Sequence, residues 1–145
     1  MNLIQRLYFH PTVSDEVGAK IINRASITMM VLFAPLLIVS FALAILTMNI
    51  FLAVQSGVWF AIVTIASMAL QNGSNSARKG MMIISVMNLL FGAISLLPPI
   101  GDDFLFLGYS MIVVVGSAYV FFLMWGRDSL MNELSARRRE YSKSM

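Results

Sequence analysis

The sequence contains no cysteine, a single histidine and few charges. Charged residues make up 12% of its 145 residues, whereas hydrophobic residues make up 59%. Without cysteine, the chain has no disulfide, no thiolate metal ligand and no cysteine nucleophile. So much apolar surface with so little charge is unlike a water-soluble domain. The composition therefore excludes a soluble enzyme, a nucleic-acid-binding domain and a disordered chain.

The charges that are present lie outside four long stretches of the chain. Residues 27–46, 51–71, 81–97 and 104–125 contain no Asp, Glu, Lys, Arg or His. A helix needs about 20 residues to cross a hydrocarbon core of about 30 Å. The third stretch is shorter, but Lys79 can extend it by reaching toward the headgroups. Because the period-2 alternation of barrel strands is absent, we predict an all-α, polytopic membrane protein with four transmembrane helices in a compact bundle.

The breaks between these stretches carry distinct turn residues. Residues 47–49 predict a very tight first turn, and the Asn, Gly and Ser residues at 72–76 predict a polar loop. Residues 98–103, which begin with two prolines, are predicted to end the third helix. Pro35 is expected to kink the first helix.

The basic residues predict the orientation of the bundle. All 10 Lys and Arg residues fall before the first stretch, between the second and third, or after the fourth. Four crossings place these three segments on the same side, which the positive-inside rule makes cytoplasmic. We therefore expect both termini in the cytoplasm of a bacterial cell, with the four helices in its inner membrane. The first helix is expected to be an uncleaved anchor, because 26 residues precede its apolar stretch.

Residues 1–26 are interpreted as a cytoplasmic amphipathic N-terminal segment. A short first helix is predicted to end at Pro11, and Thr12 or Ser14 could cap a second one. The apolar faces consist of Leu3, Ile4, Leu7 and Tyr8 in the first helix and of Val17, Ile21 and Ile22 in the second. Two interpretations are open: these helices lie in the headgroup plane, or they pack against the protein's own helix ends.

Residues 126–145 are interpreted as a basic cytoplasmic C-terminal tail. We expect the fourth helix to continue through Gly126, because Glu133 and Arg137 stand four residues apart in the favourable order. The tail carries the triplet Arg137, Arg138 and Arg139. This triplet could bind anionic lipid headgroups or a protein partner. The favoured interpretation is that it only fixes the topology.

Two of the predicted helices carry a stripe of polar and small residues. At 100° per residue, each set falls within a narrow arc of its helix, about 80° wide on the third. The third-helix stripe is Ser85, Asn88, Gly92 and Ser95, and the second-helix stripe is Ser56, Gly57, Thr64, Ser67 and Gln71. Such stripes favour close helix contacts, within one chain or with a neighbouring copy. Asn88 is the most informative member, since an amide inside the bilayer is costly unless it is paired.

The fourth helix adds a similar surface. Gly108, Tyr109, Gly116 and Tyr119 share one side and predict close approach of another helix, with Ser110 and Ser117 as a separate pair.

Catalytic chemistry is difficult to build from the remaining residues. A serine nucleophile such as Ser110 needs a base within hydrogen-bond reach, and the only histidine, His10, is predicted at the opposite membrane face. Asp102 and Asp103 are expected to be a solvated loop and not a cation site. No ionisable group lies within the four stretches, so a proton-coupled carrier is not expected. We therefore predict no catalytic residue, no metal site and no cofactor.

Two functions remain open at this point. The favoured one is a small non-enzymatic membrane protein, a subunit, regulator or immunity-type partner that acts through helix–helix docking. The alternative is a homo-oligomeric channel or pore with Ser85, Asn88, Gly92 and Ser95 facing its axis. The expected partners are the lipid bilayer with its anionic headgroups and a membrane protein or further copies of the chain. Nucleic acid is not expected.

The topology can be tested directly with reporter fusions. A phosphatase that is active only in the periplasm should be inactive when it is fused after Met145, and a cytosolic fluorescent reporter should be active there. A phosphatase inserted after Gly101 is the control and should be active. Periplasmic activity after Met145 would show that the number of crossings is odd.

Overall fold

The computed structural model describes residues 13–95 and 104–144, which are helical apart from short turns. The helices in these ranges are α1 (Glu16–Thr47), α2 (Ile50–Gln71), α3 (Asn75–Ser95), α4 (Phe104–Met124) and α5 (Asp128–Ser144). The prediction of an all-helical chain is thus confirmed for the described residues. By length and composition, α1 to α4 are each able to cross a membrane. The helix predicted within residues 3–8 and the break predicted at residues 98–103 lie outside the described residues.

The first helix begins earlier than its apolar stretch. Its N-cap is Asp15, not Thr12 or Ser14, and the Asp15 carboxylate accepts a 3.0 Å hydrogen bond from the Gly18 amide. From there α1 runs without a break, through Pro35, to Thr47. The second helix predicted with Val17, Ile21 and Ile22 is therefore the beginning of α1, because nothing between Asp15 and the apolar stretch breaks the helix. Of the two interpretations for this region, Ile21 and Ile22 fit packing against the protein itself, since both are buried.

The tight first turn is confirmed, and the predicted loop at residues 72–76 is confirmed for 72–74, since Asn75 and Ser76 already belong to α3. Met48 adopts the left-handed conformation that ends α1, with φ of 52°. The side chain of the next residue, Asn49, accepts a 3.1 Å hydrogen bond from the Phe51 amide and so caps α2. In the second loop, Gly73 has a φ of 80°, and the Ser74 hydroxyl caps α3 by accepting from the Ala77 amide at 3.2 Å.

The fourth helix does not continue through Gly126, so that expectation is wrong. Helix α4 ends at Met124 and α5 begins only at Asp128. A glycine in a helix interior costs about 1 kcal/mol relative to alanine. In addition, the Arg78 guanidinium donates a 3.0 Å hydrogen bond to the Met124 carbonyl, which would otherwise lack a partner at the helix end. The break allows α5 to fold back against the bundle.

The bundle consists of two antiparallel hairpins. The most extensive contacts are between α1 and α2 and between α3 and α4, whereas α1 joins the hairpins through its contact with α4. The α2–α3 contact is smaller. Helix α5 lies against α1 and also touches α2. The starts of α1 and α3, the α2–α3 loop, the α4–α5 break and α5 thus gather at one end of the bundle. We call it the basic end because the described Lys and Arg residues lie in these segments.

The hydrophobic core is concentrated at the basic end. The largest fully buried apolar side chains are Ile22, Met29, Leu70, Met81, Met124 and Leu130. Leu130 and Leu134 of α5 belong to the same apolar cluster as the ends of α1, α2 and α4. At the opposite end, side chains such as Leu46 and Ile50 are exposed, at 79% and 78%. The fifth helix is therefore part of the core, and the far end of the bundle presents its apolar surface outward.

A glycine permits the close contact between α1 and α5. A Cβ atom on Gly18 would overlap the Ser129 carbonyl oxygen and would lie 2.6 Å from the Glu133 Cβ. By contrast, a Cβ on Gly80, at the start of α3, meets no atom within 4 Å.

We expect Gly18→Ala to destabilise the protein by about 1–3 kcal/mol, because the added methyl must push α5 away from α1. The matched control is Gly80→Ala, which should be neutral or stabilising by up to about 1 kcal/mol, since alanine favours the helix. Thermal unfolding in mild detergent, followed by tryptophan fluorescence, measures both variants. Equal unfolding temperatures for the two would contradict the packing of α5 on Gly18.

Candidate functional site

The residues of the third-helix stripe lie partly in the interior of the bundle and partly in a groove at its side. Ser85 is fully buried and its hydroxyl donates a 2.8 Å hydrogen bond to the Met81 carbonyl of its own helix. Gly92 is buried against α4, where an added Cβ would lie 2.6 Å from the Val114 Cγ2 atom. Asn88 is half-buried and faces away from that contact, into a groove described below. The side chain of Ser95 lies outside the described ones. Ser85 and Gly92 are therefore buried within the bundle, whereas Asn88 lies at the edge of the stripe.

In the second-helix stripe, two hydroxyl groups form hydrogen bonds to carbonyls of their own helix. Ser56 donates to the Ala53 carbonyl at 3.1 Å, and Thr64 donates to the Phe60 carbonyl at 2.8 Å. Ser67 is buried with no hydrogen-bond partner for its hydroxyl among the described residues. Gly57 has open space where a Cβ would be. Gln71, at the end of α2, uses its side chain to join α1 and α5.

The surface predicted on the fourth helix contacts α1. The Tyr109 hydroxyl donates a 2.9 Å hydrogen bond to the Leu32 carbonyl. An added Cβ on Gly116 would lie 2.9 Å from the Leu32 methyl carbons, so this glycine permits the α1–α4 approach. Gly108 has no such neighbour within 4 Å. Two of the predicted positions thus join the hairpins.

A groove opens on the side of the bundle where α2 and α3 diverge. Its volume is about 450 Å³, and we call it the hairpin groove. Phe33 and Leu36 of α1, Gln55 and Trp59 of α2, and Ile83, Ile84, Met87, Asn88 and Phe91 of α3 line it. Its two amide side chains, Gln55 and Asn88, have no hydrogen bond to any described residue. The groove therefore combines an apolar wall with two unpaired amides.

The hairpin groove lies within the apolar part of the bundle. Asn88 follows the first residue of α3 by thirteen positions, which is about 20 Å along a helix axis. It thus stands well inside the stretch 81–97 that we predict to be in the hydrocarbon core. An amide there costs free energy unless a partner supplies hydrogen bonds. The polar stripes of the sequence include Asn88 but neither Gln55 nor Trp59, although the four-residue spacing of these two places them on one face of α2.

At the basic end, Glu133 and Arg137 form a buried ion pair. The Arg137 Nε donates to the Glu133 Oε1 at 2.7 Å, and the two side chains are only 6% and 0% exposed. The other carboxylate oxygen, Oε2, accepts the backbone amides of Ser14 and Asp15 at 2.9 and 2.7 Å. Glu133 thus binds the amides that precede the first turn of α1, where negative charge is favourable.

Arg137 extends this cluster to α2. Its Nη1 donates to the Gln71 side-chain oxygen at 2.7 Å and to the Gln71 carbonyl at 3.3 Å. The Gln71 amide in turn donates to Asn23 of α1 at 2.9 Å. The sequence shows the four-residue spacing of Glu133 and Arg137, but it does not indicate that both side chains are buried. The exposed members of the arginine triplet are Arg138 and Arg139.

The comparisons with known proteins found no relative. No family model, no curated protein and no solved structure matches this chain. Among residues 13–95 and 104–144, no three His, Asp or Glu side chains gather to form a metal site.

We expect Glu133→Gln to lower the free energy of unfolding by about 3–5 kcal/mol, because it leaves the buried Arg137 charge without its partner. The matched control is Glu16→Gln, which removes an ion pair with the same four-residue spacing, Glu16 with Lys20, that is exposed. This control should leave the stability unchanged. Denaturant titration in detergent measures both, and an effect of Glu133→Gln as small as that of Glu16→Gln would contradict the buried pair.

A double variant separates the pair from the packing around it. Glu133→Gln combined with Arg137→Gln should be less destabilised than Glu133→Gln alone, because no uncompensated charge remains.

Proposed function

We propose that this chain is a small, non-enzymatic inner-membrane protein that binds a transmembrane helix of a partner protein in the hairpin groove. In this proposal both termini and the basic end are cytoplasmic, and the protein acts as a subunit or regulator of its partner. The observation that carries the proposal is the unpaired amide of Asn88 in an apolar groove that opens sideways from the bundle. The four long apolar helices support the membrane setting.

The unpaired amides favour a helix over a lipid tail as the occupant. An acyl chain offers no donor or acceptor, so Gln55 and Asn88 would stay unpaired in the hydrocarbon core. A transmembrane helix that carries a polar side chain at the same depth could pair with both. Trp59, Phe33 and Phe91 would add apolar contact around that hydrogen bond.

The positions of the third-helix stripe favour docking over the pore. A channel with Ser85, Asn88, Gly92 and Ser95 on its axis would need these residues on the outer surface of each protomer. Ser85 is fully buried within the single chain, and Gly92 is covered by α4. Asn88 alone remains partly accessible among the described side chains of this stripe.

A synthetic helix provides a defined test. A polyleucine transmembrane peptide with one central Asn should associate with the protein about three- to twentyfold more tightly than an all-leucine peptide, the range for one interhelical hydrogen bond. Asn88→Leu should abolish this difference. Thr28→Val, on the opposite α1–α4 face, is the control and should preserve it. Energy transfer between labelled peptide and labelled protein in vesicles measures the association.

The same preparations distinguish docking from a pore. Equal binding of the two peptides to the wild-type protein would contradict the docking proposal. A closed ring of copies in detergent, together with ion flux that Asn88→Leu removes, would establish the pore in its place.

A further inference from the structure

A second cavity lies at the basic end, away from the hairpin groove. It has a volume of about 410 Å³ and lies between the α2–α3 loop and α5. Asn72 and Ser74 of the loop and Asn75 and Ser76 of the first turn of α3 form its loop side, and Arg138 and Tyr141 form its α5 side. No Asp or Glu of the described residues lines it. The described lining therefore combines apolar surface with hydroxyl and amide side chains, one cationic group and no carboxylate.

Arg138 differs from its neighbour Arg137 in what its side chain binds. Arg137 is buried on Glu133 and Gln71, whereas the exposed Arg138 has neither an ion pair nor a hydrogen bond of its side chain within the described part of the chain. Its backbone position is nevertheless fixed. An added Cβ on Gly73 would overlap the Arg138 amide nitrogen and lie close to the Leu134 carbonyl. The loop thus holds α5 so that Arg138 stands at the cavity.

The loop side of the cavity presents hydrogen-bond donors. The Asn75 side-chain oxygen accepts a 2.8 Å hydrogen bond from the Arg78 Nε. Since arginine can only donate, this contact assigns the oxygen of Asn75 to Arg78 and leaves its NH2 group to donate elsewhere. The Ser74 hydroxyl oxygen accepts from the Ala77 amide, which leaves its proton available. Together with the Arg138 guanidinium, these groups can donate to one anion.

The location suits the anion of a lipid headgroup. The cavity lies where α2 ends and α3 begins, at the boundary of the apolar stretches, and Ala69 lines its apolar side. A phosphate there would meet a guanidinium, an amide NH2 and a hydroxyl without displacing any ion pair seen in the structure.

We propose that this cavity binds a phosphate group, with Arg138, Asn75 and Ser74 as its donors. The shared chemistry admits two sources, the headgroup of an anionic phospholipid or a soluble phosphate compound. The site is independent of the hairpin groove, since no residue lines both cavities.

Adjacent arginines provide a matched test of this site. The wild-type protein, Arg138→Gln and Arg139→Gln are placed in nanodiscs of phosphatidylcholine with increasing phosphatidylglycerol, and bound phosphatidylglycerol is counted by native mass spectrometry. Arg138→Gln should weaken binding at least tenfold. Arg139→Gln removes the same charge from an exposed position that does not line the cavity, and it should weaken binding by no more than a few-fold. Equal losses would overturn the proposal in favour of diffuse surface attraction.

Asn75→Asp tests the cavity from its other side. The carboxylate keeps an acceptor for Arg78 but replaces the NH2 donor with negative charge. We expect loss of phosphatidylglycerol binding with an unchanged unfolding temperature. Binding that persists in this folded variant would overturn the proposed donor set.

The source of the phosphate is separated in detergent without anionic lipid. If inorganic phosphate raises the unfolding temperature of the wild-type protein but not of Arg138→Gln, the cavity takes a soluble phosphate. If only short-chain phosphatidylglycerol does so, the cavity takes a lipid headgroup. If neither compound has an Arg138-dependent effect, the proposal is wrong.

Discussion

The buried carboxylate of Glu133 is the group on which the basic end of this protein depends. One of its oxygens binds the two amides that precede α1, and the other binds Arg137. Arg137 then donates to the last residue of α2, so one residue pair satisfies a helix start and a helix end. Each charge lies where the helix dipole favours it. Arg78 does the same for the end of α4, where it binds the Met124 carbonyl. Arg137 and Arg78 are among the basic residues that predict the topology, but both also bind groups of the protein itself.

Within the apolar part of the bundle, polar side chains play a smaller role. The hydroxyls of Ser56, Thr64 and Ser85 bond carbonyls of their own helices. Some contacts between helices involve small residues, as where Gly92 meets Val114 and Gly116 meets Leu32, and the Tyr109 hydroxyl adds a hydrogen bond from α4 to α1. Such contacts hold α3 to α4 and α4 to α1, whereas the contact between α2 and α3 is smaller. The hairpin groove lies between α2 and α3, and the side chains of Gln55 and Asn88 line it without a hydrogen bond to a described residue.

The sequence was sufficient for the apolar helices and for the turns at Met48 and Gly73, because hydropathy and turn chemistry act locally. It was insufficient where the answer depends on a distant contact. The sequence placed Arg137 in a basic triplet that fixes the topology or binds lipid or a partner, whereas its contacts with Gln71 and Glu133 bury it. Spacing cannot separate that pair from the exposed pair of Glu16 and Lys20, since both are four residues apart. Similarly, the apolar stretch beginning at residue 27 revealed the apolar part of α1 but not the helical turns before it. Of the two amides in the hairpin groove, the sequence pattern indicated Asn88 but not Gln55, because a pattern along the chain does not show that α2 and α3 diverge.

The order of the chain gives the contact between α5 and α1 a consequence for biogenesis. A ribosome makes Ser14 and Asp15 first and Glu133 only after all four apolar helices have been synthesised. Until then those two amides lack the Glu133 carboxylate. The apolar cluster that contains Ile22 and Leu70 also lacks Leu130 and Leu134. The contacts that join the start of α1 to α5 can therefore form only after α1 to α4 have been synthesised.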